Sequence, residues 1–331
     1  MKEFDDYDVK YPFLIMDIMD YFDISNGNIK EKSVLNFCEQ YAKNHGIEMS
    51  EMQPSIIVKI CDRLYLDDIL SLQSRSGIDG YANKYLCAIK DKQRWIKTKD
   101  YLVNYYNSLV YGFEYIYRTY QKIVLPLVAY QNKEPHIGTC FKWNQGIVTA
   151  RHCLTDGDKI AIKGYSADTL NNAKIFVSKN PNIDVAYILT NEETKIFSDE
   201  AHVLDEVLVM GYPVIPRFFD FCTAEKATIS TISDRMTPSR GNVVAMANEI
   251  FTQNITKLML ITAKIRGGNS GGPVINKYGC VIGVSFSDAK GEGAIYDDLG
   301  YGIACPISVL EDIVKEKETL EVIFTDFPMQ K

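Results

Sequence analysis

From Ile123 onward the chain breaks into many short apolar segments parted by Gly, Asn, Asp and Pro, and no other feature restricts its fold as much. KIVLPLVAY, GTCFKW, GIVTA, KIAIKGY, AKIFVS, DVAYILT, EVLVMGYP, KATISTIS, KLMLITAKI, PVIN, CVIGVSFS and GYGIACP follow one another at close spacing. Each is long enough for a strand and too short for a typical helix, and the residues between them favour turns. Many strands in such regular succession predict an antiparallel barrel or sandwich. A helix over 307–317 follows Pro306.

The first third has a different period. Residues 11–22, 32–42 and 50–70 carry apolar side chains at three-to-four spacing, as in Val34, Leu35, Phe37, Cys38 and Tyr41. Gly46 is placed to stop one helix and Pro54 to open the next. A turn-rich segment with several lysines follows, then an aromatic helix over 101–120. These elements predict a mainly helical or winged-helix-like domain over 1–120, ahead of an all-β domain over 121–331. Two domains are also what 331 residues favour.

Composition narrows the function. Apolar residues make up 46% of the chain, enough for a sizeable core. Acidic residues outnumber basic ones by 43 to 36, a formal charge of −7, which argues against a nucleic-acid scaffold. Lys84, Lys90, Lys92, Arg94, Lys97 and Lys99, with Trp95, would suit a nucleic-acid-binding wing. A solvated charged hairpin accounts for them better, because the domain as a whole is not basic. No run of about 18 apolar residues occurs, so no membrane span is expected. The opening MKEFDDYDVK lacks the basic start and apolar stretch of a secretory signal. The 8 cysteines form no CxxC pair and no metal-ligand cluster with histidine. The expectation is a cytoplasmic protein with reduced thiols and no metal or organic cofactor; Cys140 and Cys153 are the pair placed to lie on neighbouring strands.

Three local features carry chemistry. IRGGNSGGPVIN sets Ser270 in a tight glycine-rich turn between strands. A nucleophilic serine needs such a turn to project its hydroxyl, with two backbone N–H groups aimed at the developing oxyanion. The N–H groups of Gly268 and Ser270 are the candidates. GIVTARHCL delivers His152 at the end of an apolar strand, unlike His45, His136 and His202, which lie in polar surroundings. NPNIDVAYILT puts Asp184 at the entrance of another apolar strand. Each piece alone is ambiguous: a glycine turn, a histidine, a strand-capping carboxylate. In the order His, Asp, Ser they form a catalytic triad, with Ser270 as nucleophile, His152 as base and Asp184 as the group that orients the imidazole.

On these residues the chain resembles the trypsin-like (chymotrypsin-fold) serine proteases, and most closely their bacterial HtrA/Deg-type branch. GTCFKWNQGIVTARHCL, DVAYILT, VLVMGYP, ATISTIS, GNSGGPVIN, GCVIGVSFS and GYGIACPISVLEDIV match successive segments of that branch, over roughly residues 121–318. The resemblance implies two six-stranded antiparallel barrels and peptide-bond hydrolysis through an acyl-enzyme. It also implies that Lys264 sits at the base of the primary side-chain pocket, lined further by Ser285, Phe286 and Ser287. A lysine pointing inward there would favour an acidic substrate residue, whereas one pointing outward would not. Lys122 precedes Ile123-Val124 as at a zymogen cleavage site, but Asn269 carries no charge to pair with a freed amine, which argues against that activation. The chain ends at Lys331, so no PDZ domain is expected after the protease. The expected partners are a protein or peptide substrate and an activating protein acting through the N-terminal domain, in a stress or defence setting. A regulator bound to nucleic acid and a pseudoprotease scaffold are the alternatives.

Overall fold

Apolar residues at helical spacing form the first unit. Its helices are α1 (Tyr7–Lys10), α2 (Leu14–Phe22), α3 (Val34–His45) and α4 (Pro54–Leu66). The Ser33 hydroxyl caps α3 by accepting from the Asn36 N–H, and Gly46, at φ 65°, ends it in the left-handed conformation. Leu14, Ile18 and Phe22 of α2 meet Phe37 and Cys38 of α3 and Ile57, Ile60 and Leu64 of α4 in one core. The antiparallel strands β1 (Leu70–Ser74) and β2 (Lys84–Cys87) follow. The computed structural model describes residue 4 and residues 6–25, 32–87, 98–213, 235–246, 258–288 and 300–327. Most of the basic stretch (Lys90, Lys92, Arg94, Trp95 and Lys97) and the expected strand KATISTIS lie outside the described residues.

The chain divides into two compact units, Met1–Tyr115 and Ile116–Lys331. The aromatic helix α5 (Lys99–Tyr120) is interrupted at Gly112, whose φ of 68° and ψ of −158° leave helical space. The continuous helix expected over 101–120 is therefore broken, because glycine tolerates that conformation and its aromatic neighbours do not.

In the second unit, β3 (Val124–Gln131) and β4 (Glu134–Thr149) form a hairpin through Asn132 and Lys133, both at positive φ. Next come α6 (His152–Thr155), β5 (Lys159–Ile162), α7 (Ala167–Asn171), β6 (Lys174–Val177) and β7 (Ala186–Thr194). Then follow β8 (Glu206–Gly211), β9 (Thr237–Met246), β10 (Met259–Ile261), β11 (Pro273–Asn276), β12 (Val281–Asp288) and β13 (Gly302–Pro306). The chain continues through α8 (Val309–Glu316) to β14 (Glu318–Thr319).

Strands β8 to β13 close into a barrel in the order β10-β13-β12-β11-β8-β9. Its interior takes alternate residues such as Val207, Val209, Val243, Ile261, Val274 and Ile282. The other six strands form a sheet in the order β14-β6-β7-β4-β3-β5. One edge strand, β14, pairs with β6, and the residues after it reach the opposite edge. There Ile160 of β5 donates to Ile323 O at 2.9 Å and its carbonyl accepts from the Thr325 N–H at 2.8 Å. The segment 318–325 thus joins both edges of the sheet. A two-residue strand has no readable period, so this last strand was not expected from the sequence.

Tyr120 closes α5 with its hydroxyl donating to Gly279 O at 3.0 Å in a buried contact. Tyr120→Phe leaves that carbonyl short of a donor and is expected to cost about 1–2 kcal/mol, measured by chemical denaturation of the full chain.

Candidate active site

The long strand β4 is buried from Gly146 to Thr149 and hands the chain through Ala150 and Arg151 to α6, which starts at His152. Asp184 precedes β7, and antiparallel pairing of Thr149 with Ala186 brings the exit of β4 beside the entrance of β7. Strand register therefore puts the two side chains together. Asp184 Oδ1 accepts from the His152 backbone N–H at 2.8 Å, and Oδ2 meets Nδ1 of the ring at 2.5 Å. Both carboxylate oxygens hold the same residue. Burial works to lower the imidazole pKa, but the Asp184 hydrogen bond and the Cys153 contact outweigh it, and the pKa is raised. Nδ1 is committed to the carboxylate, so Nε2 is the nitrogen left to exchange a proton.

Ser270 lies in the turn before β11. Gly271 has φ 88°, and a Cβ there would run into the Thr139 carbonyl and the Thr149 hydroxyl. Gly268 has φ 100°, and a Cβ there would strike Tyr212 O. The glycines are thus required by backbone sign and by closeness to neighbouring strands. Thr139 of β4, fully buried, holds this turn from the other sheet. Its N–H donates to Ser270 O at 2.8 Å and its hydroxyl donates to Gly268 O at 2.6 Å, while accepting from the Tyr212 N–H at 3.0 Å. Its own carbonyl accepts from Thr149 Oγ1 at 2.8 Å. Among the described residues nothing accepts from the Gly268 or Ser270 N–H, so both remain available to an incoming oxygen. Thr139 stands inside the string GTCF, and a threonine in an otherwise buried strand was the signal that sequence reading passed over.

The structure brings His152 and Asp184 into contact and sets Ser270 close by. Cys153 Sγ is 3.7 Å from His152 Nε2 and 3.6 Å from Ser270 O. The Ser270 hydroxyl donates to Phe286 O at 2.9 Å rather than to the imidazole.

The expected specificity residues fall out differently. Lys264, three residues beyond the end of β10, is exposed, while its neighbours Ala263 and Ile265 are buried. It is no pocket base, and the acidic preference that rested on its pointing inward has no support. Ser285 is fully buried, with its hydroxyl turned to Asn269 O at 3.0 Å and Gly272 O at 3.1 Å, so it does not line a pocket. Phe286 packs half-buried against the core of the β3–β7 sheet and contributes its carbonyl. The Ser287 side chain lies outside the described residues. Cys140 and Cys153 are both buried and free, and burial pushes the Cys140 thiol pKa up. No cluster of metal-ligating side chains occurs among the described residues.

A closed antiparallel barrel beside a second six-stranded sheet, with a histidine–aspartate pair on the sheet and a glycine-framed serine on the barrel, is the arrangement of a trypsin-like peptidase domain. Comparison with known proteins agrees: residues 138–284 match the family described as trypsin-like peptidase domain, and the chain carries such a domain. A probable periplasmic serine endoprotease, DegP-like, of Chlamydia trachomatis is 27% identical over 175 residues, 51% of this chain and 31% of that protein. A protein of the same description from Bartonella henselae is 27% identical over 176 residues, covering 51% and 30%. The chain thus spans about a third of the length of these curated relatives. Among solved structures, the active form of the Rv3671c protease from M. tuberculosis is similar at 18% identity with a TM-score of 0.44, over 63% of this chain and 86% of that one.

Gly271→Ala is expected to cost more than about 3 kcal/mol, because both strain and a backbone clash oppose it; a thermal melt of the variant checks this. The His152 pair makes a second prediction. Its pKa is raised, so the acid limb of kcat/KM lies above the ordinary histidine value of about 6.5. The pair's contribution to stability is complete below that ordinary value and is lost as pH rises through the raised one. Asp184→Asn removes the stabilising carboxylate. The limb should then move to lower pH while kcat falls by about 10⁴-fold, the loss typical of a triad deprived of its acid. A pH–rate profile of the two proteins reads both effects.

Proposed function

We propose that this chain hydrolyses peptide bonds as a serine endopeptidase, with Ser270 as nucleophile, His152 as general base and acid, and Asp184 as the orienting carboxylate. The observation that carries the reading is the double grip of Asp184 on His152, beside a turn whose Gly268 and Ser270 N–H groups have no acceptor among the described residues. The Ser270 hydroxyl leaves Phe286 O and attacks the scissile carbonyl. Its proton passes to His152 Nε2, and the new C–O bond forms as the carbonyl electrons move onto oxygen. The Gly268 and Ser270 N–H groups receive that oxyanion. Collapse expels the amine, which takes the proton from Nε2, and leaves an acyl-serine. Water then repeats the sequence to release the acid. Asp184 supports the imidazolium in both halves, which the raised pKa of His152 reflects.

The helical unit is the proposed regulatory part, because it is a compact unit with its own core. An activating protein partner is its proposed ligand. The proposed setting is a cytoplasmic stress or defence response, in keeping with seven described cysteines that are buried and not joined in disulfides. The DegP-like relatives carry the word periplasmic in their names, and cell fractionation decides between the two compartments. No described helix is long and apolar enough to cross a membrane.

A fluorophosphonate probe tests the chemistry directly. The full chain should be labelled in a time-dependent manner, with labelling abolished in Ser270→Ala and reduced to near background in His152→Ala. A wild-type chain that stays unlabelled, alone and with candidate activators, would make the fold a binding scaffold instead.

A further inference from the structure

Ser285 is polar, fully buried on β12, and absent from the catalytic steps above. Its backbone already joins the nucleophile turn on both sides: Gly271 N–H donates to Ser285 O at 2.6 Å, and Ser285 N–H donates to Gly272 O at 2.9 Å. Those two bonds continue the β11–β12 ladder and need no particular side chain. The hydroxyl does something the ladder does not. Its single proton is shared between Asn269 O at 3.0 Å and Gly272 O at 3.1 Å.

Asn269 O belongs to the same peptide group as the Ser270 N–H. A trans peptide is planar, with its C=O and N–H directed oppositely, so fixing the direction of Asn269 O fixes the direction of the Ser270 N–H. The other donor to Asn269 O is the Gly272 N–H at 2.9 Å, which lies within the same turn and moves with it. Among the described residues, Ser285 Oγ is the one group outside the turn that holds this peptide. The preceding peptide, 268–269, is tied elsewhere. Gly268 O receives the Thr139 hydroxyl, and the Asn269 N–H donates to Arg266 O at 2.9 Å.

We infer that Ser285 is a positioning residue for catalysis: its buried hydroxyl sets the direction of the Ser270 N–H, one of the two donors that receive the oxyanion. It touches neither substrate nor the reacting atoms and acts through the 269–270 peptide. The inference rests on the peptidase reading, since it assigns the orientation of that reading's own donor. It replaces a pocket-lining role for Ser285 with one in transition-state stabilisation. Losing an oxyanion donor outright typically costs roughly 100- to 1000-fold. Loosening one that keeps a bond within its own turn should cost less, about tenfold to a hundredfold.

Fluorophosphonate labelling of the full chain separates the cases, because attack on phosphorus also places charge on an oxygen in the same hole. In Ser285→Ala the labelling rate should fall about tenfold to a hundredfold while the end-point stoichiometry stays that of the wild type. The pH at half-maximal rate should also stay in place, since His152 and Asp184 are untouched. Ser285→Thr, which keeps the hydroxyl, should recover most of the rate. A purely structural role would lower the end-point, through misfolded molecules, and leave the rate of the remainder unchanged; that result overturns the inference. A wild-type rate in Ser285→Ala also overturns it, and leaves the peptidase reading intact because the wild type is labelled. If the wild type itself is never labelled, the peptidase reading fails and this inference falls with it.

Discussion

Everything in the catalytic unit depends on one residue of β4 holding a turn that belongs to another layer. Thr139 is fully buried, so each of its polar atoms must be satisfied by protein. The N–H takes Ser270 O, the hydroxyl takes Gly268 O and receives the Tyr212 N–H, and the carbonyl receives Thr149. A buried hydroxyl with a donor on one side and an acceptor on the other resists rotation, because any other orientation leaves a group unpaired in low dielectric. The closed barrel carries the serine and the β3–β7 sheet carries the histidine. Thr139 hydrogen-bonds the one to the other, beside the Tyr212 hydroxyl, which donates to Val124 O at 3.1 Å.

Much of this arrangement was legible in the sequence, and the reasons are local. Alternating apolar strands and turn residues mark a β-fold from Ile123 onward, because inward and outward positions differ sharply in hydrophobicity. The C-terminal end of α3 was readable from Gly46 and the start of α4 from Pro54, since each supplies a conformation that a helix terminus requires. His152, Asp184 and Ser270 stood out by residue type and order, and the structure brings the first two into direct contact with the third beside them.

What stayed hidden depends on direction rather than composition. Lys264 and Ser285 occupy plausible pocket positions in a linear reading. In the fold Lys264 lies exposed beyond the end of β10, and Ser285 is buried under the turn. Thr139 looks like any strand threonine until its neighbours across the interface are known. The hydroxyl of Ser270 points to Phe286 O, a rotamer choice that no residue pattern encodes. Likewise, Gly112 reads as one weak position in an aromatic helix, yet its backbone breaks α5.

The segment 318–325 has a consequence for how such a chain comes into being. It lies far along the chain from the strands it joins, yet it links β6 to β5, the two edges of the sheet that positions His152 and Asp184. Contacts so distant in sequence form late, since a long loop must first be closed. During synthesis from the N-terminus, the serine-bearing barrel has all its strands before the histidine-bearing sheet can be sealed. A chain made as far as residue 317 therefore has every strand of the barrel, while the sheet that carries His152 and Asp184 still lacks the segment that joins β6 to β5.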